Sequence, residues 1–574
     1  MKITRRHVPE AAAKKLVAEG VPPFLASIYA ARGVTDVAEV QAGLEHVLPH
    51  TGMKNVGEMA NILADAIVRG DRLLVIADYD CDGATACSVM MQGLQVLGAN
   101  VGFLVPDRMV HGYGLTPSIV DEAAKLEERP RYIITVDNGI SSVDGVAAAN
   151  ALGIDVLVTD HHLPGKVLPA ARCIVNPNQD GCSFESKPIA GVGVAFYVVW
   201  ALTEELTDRG LEPLEPDFRI EHLLPYVALG TVADVVGLDR NNRALVATGL
   251  ELIRAGQCPV GIGALARAAG RDPKKLSTAD IGFGIGPRIN AAGRLQNMTT
   301  GIQCLTSPEL YRATELAAQL DGINDERRAL QENMISEAVK LIVERADVDA
   351  WSIAVYGANW HEGVVGIVAG RVKETLYRPT FVLTQAQDGN VKGSGRSIPG
   401  FHLKHALDLI AVRHPGLLLK YGGHAMAAGL TLRADGVETF QEALETVCRE
   451  QLTEDLLDQV LATDGELRPQ DLCVDNAHLL RTLVWGQGFP EPVFTGEFDV
   501  QDARPMGKDR AHLKLTLQVG PNHRVNAVKF FHKGATPARV RIAYKLAVND
   551  WGGKESLQLV IDHLEVLEEL RLAA

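Results

Sequence analysis

From about Asn55 to Val236, short apolar runs alternate with stretches of amphipathic, helix-forming composition, which predicts a parallel sheet wrapped by helices. Four strands are legible at 72–78, 101–107, 132–137 and 155–160, and each runs into acidic residues. Residues 84–97 and 142–152 fit the crossover helices, with small side chains that allow close packing on a sheet. In open α/β sheets ligands sit beyond the carboxyl ends of the strands, which is where this chain places its acids. Residues 309–346 hold no proline, one glycine and many Glu, Arg, Gln and Leu, predicting a long helix that connects two domains. Strand-like runs resume at 351–356 and 380–384, followed by Gly-rich turns, so a second α/β domain is expected. Beyond it the period becomes two, at 512–519, 524–531, 539–548 and 556–561, which predicts a small all-β module of short strands.

The expected organisation is an N-terminal extension (1–54), a first α/β domain (55–308), a connecting helix (309–346), a second α/β domain (347–450), and an acidic linker with the β module (451–574). A length of 574 residues with 47% hydrophobic and 22% charged positions suits several folded cores. The net charge of −15 argues at first sight against a partner that is a polyanion. Its distribution changes that reading. Residues 437–475 carry eleven acids against Arg449 and Arg468, whereas 504–545 carry ten basic residues against Asp509 alone. Charge is segregated, with the basic stretch in the β module.

Eight scattered cysteines without a C-x-x-C pair indicate neither a disulfide framework nor a zinc ribbon. No apolar run approaches the ~20 residues that span a bilayer, and the first 20 residues lack the apolar core of a secretory signal. A cytoplasmic, membrane-free protein is expected.

Chemistry concentrates at the strand ends. Asp78-Tyr79-Asp80-Cys81-Asp82-Gly83 offers three alternating carboxylates, and on an extended chain Asp80 and Asp82 would point to one side. One acid there would be an ordinary helix cap; three exceed that need. Asp137-Asn138-Gly139 and Asp160-His161-His162 follow two further strands, and Asp234 lies in an apolar stretch where an unpaired charge would be costly. Asp80, Asp82, Asp137, His161 and Asp234 together form a carboxylate and imidazole set without thiolates. It suits Mn²⁺ or Mg²⁺ better than structural zinc. Two such ions about 4 Å apart would activate water and stabilise both oxygens of an in-line phosphoryl displacement. Gly282-Phe-Gly-Ile-Gly-Pro lacks the strand–turn–helix context of a dinucleotide fingerprint, and no ATP-binding P-loop motif occurs.

In this order, DYDCDG, VDNG, TDHH and GTVAD resemble the DHH phosphoesterase superfamily. With Gly286–Arg294 (GPRINAAGR), His361–Arg371 (HEGVVGIVAGR), Gly393–Ser397 (GSGRS) and Gly422–Gly429 (GGHAMAAG), the chain resembles its bacterial single-strand-specific exonucleases. The resemblance implies an α/β multidomain protein: a parallel-sheet DHH domain and an α/β DHHA1 domain joined by a long helix, then an OB-type β-barrel. It implies 5′→3′ degradation of single-stranded DNA to mononucleotides in repair and recombination, including mismatch and base excision repair, with two divalent cations, Mn²⁺ or Mg²⁺. Asp80, Asp82, Asp137, His161 and Asp234 match metal positions, with Asp137 as the bridge, Asp78 orienting the ligands and His162 beside the scissile phosphate. Arg108, Arg288, Asn290, Arg294, His361, Ser394, Arg396 and His424 match phosphate- or substrate-binding positions, Ser394 and Arg396 in a pocket for the 5′ phosphate. A single-strand-binding protein and a RecQ-type helicase are implied partners.

Among the aromatics, Trp485, Phe489, Phe494, Phe498, Phe530, Phe531, Tyr544 and Trp551 are expected mainly in the barrel core. Truncation near Gly465 is expected to keep cleavage of short oligonucleotides and weaken binding of long strands. Two alternatives stay open: a phosphodiesterase of short oligonucleotides or cyclic dinucleotides, and a non-catalytic single-strand-binding scaffold, which the full set of acids disfavours.

Overall fold

The computed structural model describes residues 1–107, 110–344, 349–386, 388–507, 510–521, 523–532, 537–550 and 553–569. The apolar runs of the first half become β1 (Arg72–Ala77), β2 (Asn100–Leu104), β3 (Tyr132–Val136) and β4 (Asp155–Thr159), joined by an unexpected β5 (Cys173–Val175). All are parallel, in the order β2-β1-β3-β4-β5. Helices α1 (Val56–Arg69), α2 (Cys81–Val96) and α3 (Val143–Ala151) flank the sheet, and α4 (Gly191–Asp208) and α5 (Leu224–Asp234) pack on α2. A sheet covered on both faces needs continuous apolar strands, as in the buried β3 and β1. Register pairs Ala77 with Val136 and Val136 with Thr159, so the next residues, Asp78, Asp137 and Asp160, stand level along one edge. Strand order reverses between β1 and β3, the switch point at which open sheets bind ligands.

The helix-forming run becomes α7 (Leu310–Glu344), preceded by α6 (Gly286–Leu295). The chain divides into two compact units, Arg5–Asp321 with Ala462–Ala574, and Met1–Thr4 with Gly322–Leu461. One division falls inside α7 and the other inside the acidic stretch. The second unit is built on β6 (Ile353–Tyr356), β7 (Thr380–Gln385), β8 (Val391–Arg396), β9 (Leu418–Gly423) and β10 (Ala427–Leu432), in the order β9-β10-β8-β7-β6. Only β6 and β7 run parallel, and α8 (Val365–Leu376) packs on β7 and β8.

The period-two segments form a closed barrel, β11 (Phe494–Met506), β12 (His512–Gly520), β13 (His523–Lys529), β14 (Pro537–Asn549) and β15 (Ser556–Glu569), ordered β11-β12-β13-β15-β14. Phe494, Phe498 and Tyr544 fill its core. Four aromatic expectations are corrected. Trp485 and Phe489 precede the barrel: their rings stack at 5.4 Å and bury Tyr29, with Arg32 over Trp485 at 5.4 Å and Arg243 over Phe489 at 4.4 Å. Phe530 and Phe531 are exposed, the latter by 87%, at 5.2 and 5.3 Å from the His512 ring. Trp551 lies outside the described residues.

Residues 5–54 therefore do not stand apart. Arg32, itself buried, makes a two-pronged ion pair with Asp464 at 2.7 and 3.0 Å, tying the N-terminal helices to the segment that leads into the barrel. Truncation near Gly465 would strip Trp485 and Phe489 from this core, so loss of folding, not merely of strand affinity, is the outcome to expect.

The basic stretch is also less positive than its sequence window suggests, because acids outside that window answer it. Glu497 pairs with Arg539 (3.0 Å) and Arg541 (2.7 Å), Glu565 with Arg541 (3.0 Å), Glu491 with Lys545 (2.8 Å) and Asp502 with Arg504 (2.8 Å). Arg510, Lys514 and Arg524 are exposed; Lys508, Asp509 and Lys533 lie outside the described residues. Among the described residues no helix is long and apolar enough to cross a membrane.

Candidate active site

The Asp78–Gly83 segment converges by a route other than strand alternation. The strand ends at Ala77, Asp80 is the N-cap of α2, its Oδ1 accepting from Gly83 N at 3.0 Å, and Asp82 lies in the helix's first turn. Asp82 is held from outside: Gly191 N and Val192 N, at the start of α4, donate to its two oxygens at 2.6 and 2.9 Å. Such a helix N-terminus favours a carboxylate. Asp78 Oδ1 accepts from Tyr79 N at 2.8 Å. Asp137 follows β3 in a left-handed conformation (φ 62°), and Asn138 Nδ2 bridges the carbonyls of Ile76 and Val136, clamping β1 to β3 beneath it. Asp234 is the last residue of α5, before a left-handed Val235.

Asp137 joins these groups. Potential ligand atoms of Asp78, Asp80 and Asp137 all lie within 4.8 Å of one another, as do those of Asp82, His161 and Asp234, and those of Asp137, His161 and His162. His161 Nε2 is 3.1 Å from Asp137 Oδ1, 3.7 Å from Asp234 and 3.9 Å from Asp82. Space here is minimal, since a Cβ on Gly191 would lie 2.5 Å from Asp137 Oδ1.

Burial first, and neighbouring carboxylates second, push the Asp82 and Asp137 carboxyls well above the usual range; burial and Asp80 do the same to Asp78. Asp234 rises to about 7 by burial and the Asp80 charge, and burial with the His162 charge lowers His161 to about 4. Asp137 Oδ1 and His161 Nε2 are buried yet make no hydrogen bond. Crowded, desolvated carboxylates with an unpartnered buried oxygen fit divalent cations, and the oxygen-rich donor set suits Mn²⁺ or Mg²⁺.

His162 differs from its neighbour. Burial lowers its pKa, but Asp160 outweighs burial and brings it up to about 9: Asp160 Oδ1 lies 2.7 Å from His162 Nδ1 and also accepts from both histidine amides. The other Asp160 oxygen accepts from Ile140 N at 2.9 Å. The His162 imidazolium is part-exposed, with Nε2 beside the Tyr113 hydroxyl at 3.4 Å. Asp160 and Tyr113 join the site; Asp160, adjoining His161 and His162 at a strand end, carries a signal visible in the sequence, and Tyr113 carries none.

The expected phosphate-binding residues divide. Arg108 lies outside the described residues. Arg288 is buried, with Nε donating to Asp321 at 2.8 Å and Nη1 to the Gly284 carbonyl at 2.7 Å. Asn290 Oδ1 accepts from Cys81 N at 2.7 Å, fixing the acidic loop, onto which α6 packs so closely that a Cβ on Gly293 would overlap the Tyr79 carbonyl. Arg294 is half-buried near the end of α6.

In the other unit, Ser394 and Arg396 share one face of β8, with Arg396 Nη1 3.2 Å from Ser394 Oγ. Both would touch a Cβ on Gly366, in the first turn of α8, and His361 lies in the loop before that helix. Pairing of Ala427 with Arg396 sets the His424 turn beside the same strand end. The glycines of GSGRS do not expose amides to a ligand, because β8 is paired on both sides; Gly393 and Gly395 make room for Leu383 and Phe381.

The fold and this acidic, imidazole-bearing sheet edge define a DHH-type phosphoesterase, and residues 72–231 match the DHH family, N-terminal domain. Residues 338–450 match the DHHA1 domain and 463–563 the RecJ OB domain. The chain is 43% identical to the single-stranded-DNA-specific exonuclease RecJ of Escherichia coli (strain K12) over 578 residues, covering 98% of this chain and 99% of that protein. It is 35% identical to RecJ of Bacillus subtilis (strain 168), over 96% of this chain and 68% of that one. The crystal structure of Thermus thermophilus RecJ in complex with Mn²⁺ superposes with a TM-score of 0.80 at 30% identity, covering 99% of this chain and 80% of that one. Its Mg²⁺ counterpart gives 0.75 at 28% identity, covering 98% and 78%. The chain belongs to the RecJ family of single-stranded-DNA-specific exonucleases.

Proposed function

We propose that this chain degrades single-stranded DNA from the 5′ end, releasing mononucleotides by metal-dependent phosphodiester hydrolysis. The observation that carries the reading is the convergence of buried carboxylates and His161 on Asp137, beside a part-exposed His162 imidazolium. Asp80, Asp82, Asp137, His161 and Asp234 would hold two divalent cations, which supply charge stabilisation and a water of lowered pKa. Asp78 and the amides of Gly191 and Val192 orient the set. Water adds to phosphorus, the bond to the 3′ oxygen breaks, and that oxygen gains a proton. His162, held protonated by Asp160, donates a hydrogen bond to the phosphoryl oxygens as negative charge grows.

Ser394 and Arg396 beside the first turn of α8 suit a terminal phosphate, which draws on a guanidinium and a helix N-terminus together. His361, His424, Arg294 and Arg108 complete the proposed substrate-binding set, and Asn290 acts through the acidic loop. Exposed Phe530 and Phe531, with Lys514 and Arg524, support strand binding by the barrel. The family matches support reading 55–308, 347–450 and 451–574 as catalytic, DHHA1 and linker-barrel segments. Eight unpaired cysteines support a reducing, cytoplasmic setting. A single-strand-specific enzyme depends on unwinding, which favours a RecQ-type helicase and single-strand-binding protein as partners in repair and recombination.

Asp137→Ala tests the reading: a folded variant that releases no nucleotide with Mn²⁺ supports it, and a folded, active one overturns it. A 5′-phosphorylated 40-mer turned over faster than a dinucleotide separates it from the short-oligonucleotide alternative.

A further inference from the structure

The Gly282-Phe283-Gly284 run takes no part in the metal centre. It forms one turn of π-helix, Ile281–Ile285, ahead of α6, and the Phe283 side chain is 78% exposed. A lone exposed apolar side chain is ordinary, but three features set this one apart. The glycines on each side add no side chain beside the ring. Turns of π-helix are rare and concentrate at functional sites. The ring also lies on the wall of a cavity of about 640 Å³, bounded by Val232, Val235, Thr278, Trp485 and Ala547.

The cavity adjoins the metal centre across the end of α5. Ala233 and Val235 face the cavity, whereas the carboxylate of Asp234, between them, lies 3.7 Å from His161. We propose that the cavity receives the single strand downstream of the cleaved bond and that Phe283 stacks on one of its bases; this rests on the exonuclease reading above. A helix end is about 10 Å across, and stacked nucleotides rise ~3.4 Å each, so the stacked base lies about three nucleotides from the cleaved bond. Arg271 and Lys545 on the same wall are already paired with Asp280 (3.1 Å) and Glu491 (2.8 Å). Arg481, a third cation on that wall, has no part in those two pairs, so the share that belongs to Phe283 is stacking, and its insensitivity to salt separates it from phosphate neutralisation.

The test uses the full chain and a 12-mer carrying phosphorothioate linkages at its 5′ end to slow cleavage, with 2-aminopurine placed at each position in turn. The unaltered chain quenches the fluorophore at the third or fourth position; F283W keeps that quench, and F283A loses it and binds the 12-mer about tenfold more weakly, the loss of one stacked base. The tenfold ratio is the same at 50 and 200 mM salt. An F283A chain with unaltered quenching and affinity overturns the inference. If instead the unaltered chain degrades no single strand at all, the exonuclease reading itself fails.

Discussion

Gly191→Ala probes the active site without touching a side chain in it. The added Cβ would lie 2.5 Å from Asp137 Oδ1 and 2.7 Å from its Cγ, about 1 Å inside contact distance, while the Gly191 amide holds Asp82 at 2.6 Å. Neither side yields easily, since Asp137 follows a buried strand and α4 packs on α1 and α2. Either the carboxylate or the helix start must move by about 1 Å. Overpacking of this kind costs about 1–3 kcal/mol, and a misplacement of that size at a reacting centre costs about 10²-fold in rate. The expected variant is folded, melts a few degrees lower, binds Mn²⁺ more weakly by calorimetry, and has kcat/KM on a 5′-labelled oligonucleotide reduced about 100-fold. A folded variant with the affinity and rate of the unaltered chain would refute the view that Asp137 and the α4 start are locked together around the ions.

Asp160→Asn removes the charge that lifts His162 to about 9. Because the protonated form acts, activity falls as pH rises through that value, so the alkaline limb of kcat/KM should move to lower pH; an unmoved limb contradicts the role given to His162. With metal chelated, burial and the neighbouring carboxylates raise the pKa values of Asp78, Asp82, Asp137 and Asp234 in the folded state above those of the unfolded chain. Their stabilisation is present at low pH and lost as pH rises through the raised values, to about 7 for Asp234. The chelated protein should therefore melt lower at pH 8 than at pH 5, with Mn²⁺ stabilising it more at pH 8; equal Mn²⁺ shifts at both pH values would count against a carboxylate site. Arg396→Ala should erase a preference for 5′-phosphorylated over 5′-hydroxyl ends of about 10- to 100-fold, the range for hydrogen bonds to charged groups, and retention of the preference would dismiss the terminal-phosphate pocket.

What could be read from the chain follows from where the information lies. β1, β3 and β4 were legible because strands buried on both faces must be apolar throughout, and the acids after them because nothing else places charge so regularly at strand ends. β5, three residues long, gives no period. β11 was hidden because Gly496, Asp502 and Pro505 interrupt its alternation, and Glu497 on it answers the basic residues of β14. A charge window along one strand cannot register a partner on the next. Arg288 carries the same donors whether it meets a phosphate or Asp321, so only burial distinguishes the two. Gly191 and Tyr113 matter through contacts across the fold, and no local pattern marks them.

Polarity, strand specificity and metal dependence are read together by digestion of matched single- and double-stranded oligonucleotides labelled at either end, with Mn²⁺ or with chelator. With the proposed activity, a 5′ label leaves first as a mononucleotide and a 3′ label remains on a progressively shortening strand, only on single strands and only with metal. Initial release of the 3′ label, equal digestion of duplex, or cleavage in chelator would contradict it.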